Sequence, residues 1–170
     1  MAVFMDVMKT TSCGVLVLDP AGELLLCHAT GSRYWDIPKG GVAGSEAGPQ
    51  AAVREAREEC GLRLEANELL DLGRFDYLRH KELLLYAVLM ERFDTRQCVC
   101  VSTYVDRQGR VRPEMDAFRW APFDDLQARC APSLSSVLTG HLSLSSLLDD
   151  LLRAGKPKPA VFAFDATGKA

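Results

Sequence analysis

Three glutamates in the middle of the chain, Glu55, Glu58 and Glu59, have a spacing that could do chemistry. Residues three and four apart share one face of a helix, so a helix here would direct all three carboxylates toward one spot. Like charges at this spacing destabilise a helix unless a cation compensates them. Oxygen-only ligands suit hard divalent cations, so the spacing predicts a site for Mg²⁺ or Mn²⁺. Glu55 and Glu59 are best placed to share one metal ion, and Glu58 is either a further ligand or a general base.

The helix that would carry these glutamates is predicted over residues 49–60. Pro49 suits the first helical position, and Gly61 suits the stop. One face of this helix is made of small apolar side chains, which would let the helix lie close to a sheet: Ala52, Val53, Ala56 and Cys60. The glutamates are expected along the edge that adjoins this face.

Short apolar runs separated by turn residues predict a framework of strands around this helix. Residues 15–18 and 24–27 should form a hairpin, because Asp19, Pro20 and Gly22 lie between them. The glycine-rich segment 39–44 is predicted to be a loop, and residues 133–153 have the periodicity of a helix with a leucine-rich packing face. Further strands are predicted over residues 35–37, 69–78, 82–92, 98–105 and 117–121, and a helix is predicted to open at Pro122.

Length, charge and cysteine usage limit the possible functions. The 170 residues suffice for one domain with its own core, and 48% apolar with 25% charged residues argues against disorder. The net charge of −3 makes a general DNA- or RNA-binding protein unexpected. Residues 1–11 do not resemble a signal peptide, and no apolar run has the length of a membrane span. The six cysteines lack metal-site spacing, so reduced thiols in a cytoplasmic protein are expected.

The segment from Gly40 to Leu62 also resembles a known motif. It has a glycine, five residues, a glutamate, seven residues and then Arg-Glu-apolar-any-Glu-Glu-any-Gly-apolar, at Gly40, Glu46, Arg54, Glu55, Glu58, Glu59, Gly61 and Leu62. This pattern is the Nudix signature, so the chain resembles the Nudix hydrolases. The resemblance implies an α/β fold in which a mixed β-sheet lies between helices and a loop–helix–loop holds the metal. It also implies hydrolysis of a diphosphate that is linked to another group, usually a nucleoside.

The resemblance implies further roles around the glutamates. Glu46 could reach the metal through water or pair with Arg54, and Arg54 would orient a glutamate by a charge-assisted hydrogen bond. The carbonyl of Lys39, just before Gly40, is another candidate metal ligand. Glu114 matches a carboxylate delivered to the metal from outside the helix, although a plain loop acid is an equal alternative. The expected catalytic residues are Glu55, Glu58, Arg54 and Glu114, and the expected metal ligands are Glu46, Glu55, Glu58, Glu59 and Lys39.

Flanking residues resemble the branch of the family that hydrolyses dinucleoside polyphosphates such as diadenosine tetraphosphate. Residues 35–40 have the form Trp-x-x-Pro-Lys-Gly, and Lys39 would meet a phosphate as a point charge. Residues 114–120 resemble a Glu-His-Gln-Ala-aromatic-Arg-Trp run, but Met115 and Asp116 replace the histidine and the glutamine. Lys81 and Tyr86 resemble a pair that binds polyphosphate and adenine, although an edge-strand charge and a core ring explain them equally well.

The favoured function is a Mg²⁺-dependent hydrolase of a nucleoside diphosphate derivative, with a dinucleoside polyphosphate as the first substrate. Alternatives are other Nudix substrates, namely ADP-ribose, nucleotide sugars, oxidised nucleoside triphosphates and RNA 5′ ends. A non-catalytic nucleotide-sensing module is a further alternative, as is a solvated helix face with an Arg54–Glu58 pair. The Nudix domain is expected over residues 1–141, and residues 142–170 would form part of it or a flexible extension. The expected partner is a small nucleotide substrate.

Overall fold

The structure is a computed structural model that describes residues 8–170. Residues 1–7 lie outside the described part, so the expectations for the N-terminal segment and for a domain start at residue 1 stay predictions. Within residues 8–170, no helix combines the length and the apolar character that crossing a membrane requires.

The fold is built on a seven-stranded sheet of mixed direction and a separate two-stranded sheet. The strands in the described part are β1 Thr10–Leu18, β2 Glu23–Ala29, β3 Trp35–Asp36, β4 Lys39–Gly41, β5 Leu70–Leu78, β6 Lys81–Leu89, β7 Thr103–Val105, β8 Val111–Pro113 and β9 Met115–Pro122. The main sheet has the order β3-β2-β1-β6-β5, with β4 against β1 and β9 against β2. β1 and β6 run parallel, and the other pairs are antiparallel. β7 and β8 form the small sheet.

Helices cover both faces of the main sheet. On one face, Val15 and Val17 of β1 pack with Ala56 and Cys60 of helix α1, which spans Gly48–Cys60. On the other face, the leucines of β1 and β6 pack with α2 Leu126–Arg129, α3 Pro132–Ser135 and α4 Leu144–Ala154. Successive side chains of a strand point to opposite faces, which is why β1 after Gly14 and β6 after Glu82 are apolar on both faces. The predicted α/β fold with a sheet between helices is confirmed.

Helix α1 is close to its prediction from the sequence. It begins one residue before Pro49 and ends at Cys60, and Gly61 caps it in the left-handed conformation with a φ of 74°. Its buried apolar side chains are small, which lets the helix lie close to β1 and β4. Val53, which was placed on the apolar face, is only half-buried, and Ala51 is buried in its place.

The glycine-rich segment predicted as a loop is partly a strand. β4 pairs with the start of β1, with Cys13 opposite Gly40 and Gly14 opposite Lys39. Helix α1 lies over this strand so closely that a Cβ on Gly40 would come within 2.2 Å of a carboxylate oxygen of Glu55. Such an approach requires glycine, and glycine removes the apolar alternation by which strands are found in a sequence. The loop prediction is therefore wrong over Lys39–Gly41.

The long C-terminal helix predicted from leucine periodicity is interrupted. α3 continues into a π-helical turn over Ser136–His141, and the chain then leaves the helix at Leu142. The Ser143 hydroxyl accepts the N–H of Ser146 and caps the start of α4. Leucines from both sides of the break enter the same core, so the periodicity identified the packing face but not the break.

The strand predicted over residues 98–105 forms only at its end, as β7. The preceding segment is irregular because its backbone hydrogen bonds go to the last turn of α1. The N–H of Val99 donates to the carbonyl of Cys60 at 3.3 Å, and the N–H of Val101 donates to that of Glu58 at 2.8 Å. The apolar pattern of residues 98–102 does not reveal that their backbone pairs with the end of a helix instead of with a strand.

Residues after α4 return to the main body. The N–H of Lys158 donates to the carbonyl of Leu89 at 3.0 Å, and the N–H of Ala163 donates to the carbonyl of Gly61 at 2.8 Å. The Phe162 ring packs edge-to-face against Phe93 with 5.3 Å between ring centres. From these contacts we infer that residues 142–170 belong to the same domain as the rest.

Deleting residues 157–170 should therefore lower the melting temperature. The deletion removes the Phe162 contact and several backbone hydrogen bonds, together worth roughly 2–3 kcal/mol. For a chain of this size that corresponds to about 5–10 °C, measured by circular dichroism. Deletion of Gly168 to Ala170 alone is the control and should change the melting temperature little. An unchanged melting temperature after the longer deletion would mean that the segment is a flexible extension.

Candidate active site

Glu59 is the most deeply buried of the motif glutamates, with 4% of its surface exposed. One of its carboxylate oxygens accepts the backbone N–H of Lys39 at 3.0 Å. Burial raises the pKa of Glu59 to about 9, and it outweighs the hydrogen bond and the charge of Lys39, which act in the opposite direction. A carboxyl group in such a position gains strongly from a nearby cation.

Glu55 lies one turn before Glu59, with its carboxylate directly over the backbone of Gly40. It is 7% exposed, and its pKa is raised mainly by burial, against the lowering effect of Arg54. The charges of Glu58 and Glu114 raise this pKa further. Both Glu55 and Glu59 belong to the buried face of α1, so the prediction that they lie along its edge is wrong for these two.

Arg54 connects the acidic residues of the helix and of the loop before it. Its Nε donates to Glu46 at 3.0 Å, and its Nη1 donates to Glu55 at 2.7 Å and to Glu58 at 3.2 Å. Its Nη2 donates to the carbonyl of Gly41 at 2.8 Å. The hydrogen bond from Arg54 is the main cause of a lowered pKa at Glu46. The Arg54–Glu46 pair and the Arg54–Glu58 pair, which the sequence offered as alternatives, therefore occur on one guanidinium.

Glu58 and Glu114 approach the site from its solvent side. The Glu58 side chain is 36% exposed, and its backbone carbonyl accepts the N–H of Ser102 at 3.2 Å. The carbonyl of Ser102 in turn accepts the N–H of Glu114 at 3.0 Å. Two hydrogen bonds thus link the end of α1 to the segment that carries Glu114, and Glu114 is close enough for its charge to act on Glu55.

The three helix carboxylates do not meet at one point in this arrangement. Within residues 8–170, no three acidic, histidine or cysteine side chains lie close enough together to hold a metal ion. Arg54 lies between Glu46, Glu55 and Glu58 instead. The prediction of a common focus is therefore wrong for these side-chain positions, because an arginine of the same motif takes part of the compensating role.

The donor chemistry nevertheless fits a hard divalent cation. Every candidate ligand is an oxygen, and burial raises the pKa of both Glu55 and Glu59. The buried carboxylates are held against β4, where the carbonyl of Lys39 was also proposed as a ligand. The residues that would hold the ion are therefore Glu55 and Glu59, with Glu58, Glu46 and Glu114 around them.

The Lys39 side chain already has a partner. Its Nζ lies 2.7 Å from Asp36 and 5.7 Å from the ring centre of Tyr77. Burial would lower the pKa of Lys39, but the charge of Asp36 and the Tyr77 hydroxyl more than offset this, so the pKa is raised. Lys39 stays charged at neutral pH, and a phosphate would have to compete with Asp36 for it. Asp36 was missed in the sequence, although its position three residues before Lys39 is a usable signal.

Lys81 and Tyr86 are not brought together. They lie five residues apart in β6 and therefore point to opposite faces of the sheet. Tyr86 is 5% exposed, packs with the buried Cys13 and Ala51, and extends its hydroxyl toward Gly48 at the start of α1. The two side chains are therefore not neighbours and the core interpretation of Tyr86 is favoured, while a substrate contact from either residue stays a prediction.

Comparison with known proteins agrees with this geometry. The sequence model of the NUDIX domain matches residues 8–139. The chain is 37% identical over 142 residues to the uncharacterized 17.7 kDa protein in the e–segB intergenic region of Enterobacteria phage T4, covering 77% of this chain and 94% of that protein. It is 27% identical over 123 residues to an RNA pyrophosphohydrolase of Pectobacterium carotovorum, covering 65% of this chain and 67% of the relative.

Solved structures share the fold at lower sequence identity. An Ap4A hydrolase from C. elegans superposes with a TM-score of 0.58 at 21% identity, covering 82% of this chain and 98% of the other. The dihydroneopterin triphosphate pyrophosphohydrolase of E. coli gives a TM-score of 0.58 at 18% identity, covering 78% and 96%. Because the NUDIX domain match extends over more than half of the sequence, this chain belongs to the Nudix family of hydrolases.

Proposed function

We propose that this enzyme hydrolyses the diphosphate linkage of a nucleoside diphosphate derivative with Mg²⁺ as its cofactor. The observation that carries the proposal is the pair of buried carboxylates, Glu55 and Glu59, held against Gly40 and the backbone of Lys39. Burial makes both carboxylates costly to ionise even with Arg54 and Lys39 nearby. A divalent ion beside them would remove that cost. Nudix hydrolases generally use divalent metal ions such as Mg²⁺.

The residues divide the chemical work in this proposal. Glu55 and Glu59 would hold the ion, and a bound ion would supply charge neutralisation of the diphosphate and a lowered pKa of the attacking water. Glu58 is the most exposed of the three helix carboxylates and would accept the proton of that water as general base. Arg54 orients Glu46 and Glu55 through charge-assisted hydrogen bonds. Glu114 would add a carboxylate from outside the helix.

A dinucleoside polyphosphate such as diadenosine tetraphosphate is the favoured substrate. Support comes from the Trp-x-x-Pro-Lys-Gly segment over residues 35–40 and from the fold shared with an Ap4A hydrolase. RNA 5′ ends are a second candidate, because several curated relatives are RNA pyrophosphohydrolases. ADP-ribose, nucleotide sugars and oxidised nucleoside triphosphates complete the set to be tested.

The proposal is tested by product analysis with Mg²⁺ on a panel of these compounds. We expect turnover of diadenosine tetraphosphate to exceed that of ADP-ribose, with AMP plus ATP as products of asymmetric attack or ADP alone for symmetric attack. A chelator should abolish the reaction, and excess Mg²⁺ should restore it. Turnover of none of the compounds, with nucleotide binding intact, would contradict the proposal and favour a sensing module.

We propose that the protein is located in the cytoplasm. The cysteine usage of the sequence favours the reducing cytoplasm, and all six cysteines are free thiols in the structure. Fractionation of cells followed by detection of the protein would test this prediction.

A further inference from the structure

A basic hairpin emerges directly beside the glutamates and has no role in the function proposed so far. We call it the arm: it spans residues 103–113, from the start of β7 to the end of β8. Its two strands pair only with each other, so it is separate from the main sheet. It carries three arginines, Arg107, Arg110 and Arg112, and a single acid, Asp106. In a chain with a net charge of −3, this is a local concentration of positive charge.

Two of the three arginines are available to bind an anion. Asp106 accepts the Nε of Arg110 at 2.8 Å and also accepts two backbone N–H groups of the turn. That carboxylate is therefore committed to Arg110 and to the shape of the turn. Within residues 8–170, neither Arg107 nor Arg112 forms an ion pair. Arg107 is exposed at the turn, and Arg112 is half-buried and near enough to Asp106 for its charge to help lower the pKa of that carboxyl.

Both ends of the arm are fixed at the glutamate cluster. Ser102, just before the arm, donates its N–H to the carbonyl of Glu58, and Glu114, just after it, donates its N–H to the carbonyl of Ser102. A third contact comes from the Tyr104 hydroxyl, which donates to the carbonyl of Thr30 at 3.2 Å. The arm therefore starts beside one candidate catalytic residue and returns beside another.

The register of the arm directs one arginine toward the body of the protein. Tyr104 and Arg112 are directly opposite each other, so their side chains share one face of the hairpin. The Tyr104 hydroxyl fixes that face toward Thr30. Each strand has three residues and rises about 3.4 Å per residue, so the turn with Arg107 lies about 10 Å from the anchored end of the arm. A ligand long enough to span this distance could reach from the site to the turn.

We propose that Arg107 and Arg112 bind phosphate groups of the substrate that lie beyond the scissile diphosphate. This inference rests on the proposed hydrolysis of a nucleoside diphosphate derivative and adds the substrate class: compounds with further phosphates on the same chain. The phosphates belong to a longer polyphosphate bridge or to the backbone of an RNA 5′ end. Arginine suits this role because its planar donors match phosphate oxygens.

The test compares the double variant Arg107→Ala/Arg112→Ala with wild type on three substrates. ADP-ribose has only the scissile diphosphate, diadenosine tetraphosphate has a longer bridge, and a 5′-triphosphorylated RNA oligonucleotide has a backbone. We expect KM to rise about ten-fold for the longer bridge, for the RNA or for both, with kcat and the KM for ADP-ribose nearly unchanged. The substrate that responds identifies the source of the phosphates. No rise for either, or an equal rise for ADP-ribose, would overturn the inference.

Two controls separate specific contacts from general charge. Arg63→Ala/Arg153→Ala removes the same charge from exposed positions away from the arm and should leave KM unchanged. Arg107→Lys/Arg112→Lys keeps the charge but not the planar donors, so it should restore only part of the affinity. Each phosphate contact should also contribute about one to the slope of log affinity against log salt, so the alanine variant should lose about two from that slope. An unchanged slope would count against phosphate contacts.

Direct binding distinguishes failure of this inference from failure of the proposed function. Inorganic tripolyphosphate is titrated into wild type and into the alanine variant by calorimetry, which needs no turnover. Weaker binding to the variant, in an enzyme that cleaves nothing on the panel, would support the arm and overturn the proposed reaction. Equal binding together with normal cleavage of the panel would overturn the arm alone.

Discussion

Glu59→Gln should lower kcat by about 100-fold or more and at the same time stabilise the metal-free protein at pH 8. Loss of residues that merely support metal ligands costs about 10–100-fold, so loss of a ligand charge should cost at least as much. Glutamine keeps an oxygen that can accept the Lys39 N–H, so the local fold is retained. Only the buried negative charge is removed, and its desolvation is what raises the pKa of Glu59 to about 9.

The pH dependence of stability gives this prediction a definite sign. The pKa of Glu59 is about 9 in the folded protein and close to the ordinary glutamate value of 4.5 in the unfolded chain. Between pH 4.5 and pH 9 the folded protein holds a proton on Glu59 that the unfolded chain has lost. The stabilisation of the folded state by this proton is complete below pH 4.5 and is lost as the pH rises toward 9. One proton changes the free energy of unfolding by about 1.4 kcal/mol per pH unit. Between pH 6 and pH 8 the wild type should lose roughly 2–3 kcal/mol that the variant keeps.

Thermal unfolding at pH 6 and pH 8, with and without Mg²⁺, measures these effects together with kcat. Saturating Mg²⁺ should raise the melting temperature of the wild type at pH 8 far more than that of Glu59→Gln, because the ion binds the folded state and pulls the pKa down. A variant with near-normal kcat would mean that Glu59 is not a metal ligand. Parallel pH profiles for the two proteins would mean that Glu59 is not the buried acid responsible.

Gly40→Ala should reduce kcat by about 100-fold with little loss of stability. A Cβ at this position would lie 2.2 and 2.5 Å from the two carboxylate oxygens of Glu55. The carboxylate is the end of a flexible side chain, so it moves away from β4 instead of unfolding the helix. Displacement of a catalytic group by about 1 Å can cost about 100-fold in rate. The backbone of Gly40 does not have a positive φ, so alanine adds no strain there.

Gly41→Ala provides a matched control one residue away. No heavy atom lies within 4 Å of a Cβ at Gly41, and its carbonyl, which accepts from Arg54, is unchanged by the substitution. This variant should keep near-normal kcat. Adding Glu55→Asp to Gly40→Ala shortens the displaced side chain and should relieve the close contact without restoring the rate. Equal activity of Gly40→Ala and Gly41→Ala would show that the Glu55 carboxylate does not act from its place over β4.

The motif residues could be found in the sequence because their spacing is local. Arg54, Glu55, Glu58 and Glu59 lie within two turns of one helix, and the helix start at Pro49 and stop at Gly61 follow from backbone chemistry that needs no tertiary contact. Family membership followed from the same segment. Local spacing is less informative about Lys81 and Tyr86. The resemblance implies that the two residues act as a pair, but they lie five residues apart in one strand, so their side chains point to opposite faces of the sheet.

Other features depend on contacts between distant segments and could not be predicted. The sequence predicts a loop at β4 because Gly40 and Gly41 have no side chain, and only the close approach of the Glu55 side chain of α1 explains Gly40. The leucine periodicity of the C-terminal region gave no sign of the break at Leu142. The irregular path of residues 98–102 reflects hydrogen bonds to the end of α1, which set the distance between Glu58 and Glu114.

The sequence by itself determined to which family the chain belongs and which residues are candidates for the chemistry, because signature positions within one helix keep their order and spacing in any environment. Tertiary structure decided how deeply each carboxylate is buried, and hence that Glu59 and Glu55 carry raised pKa values while Glu46 and Glu58 pair with Arg54. Desolvation depends on every segment packed around a group, so it is settled only when β4, α1 and the segment before the arm come together.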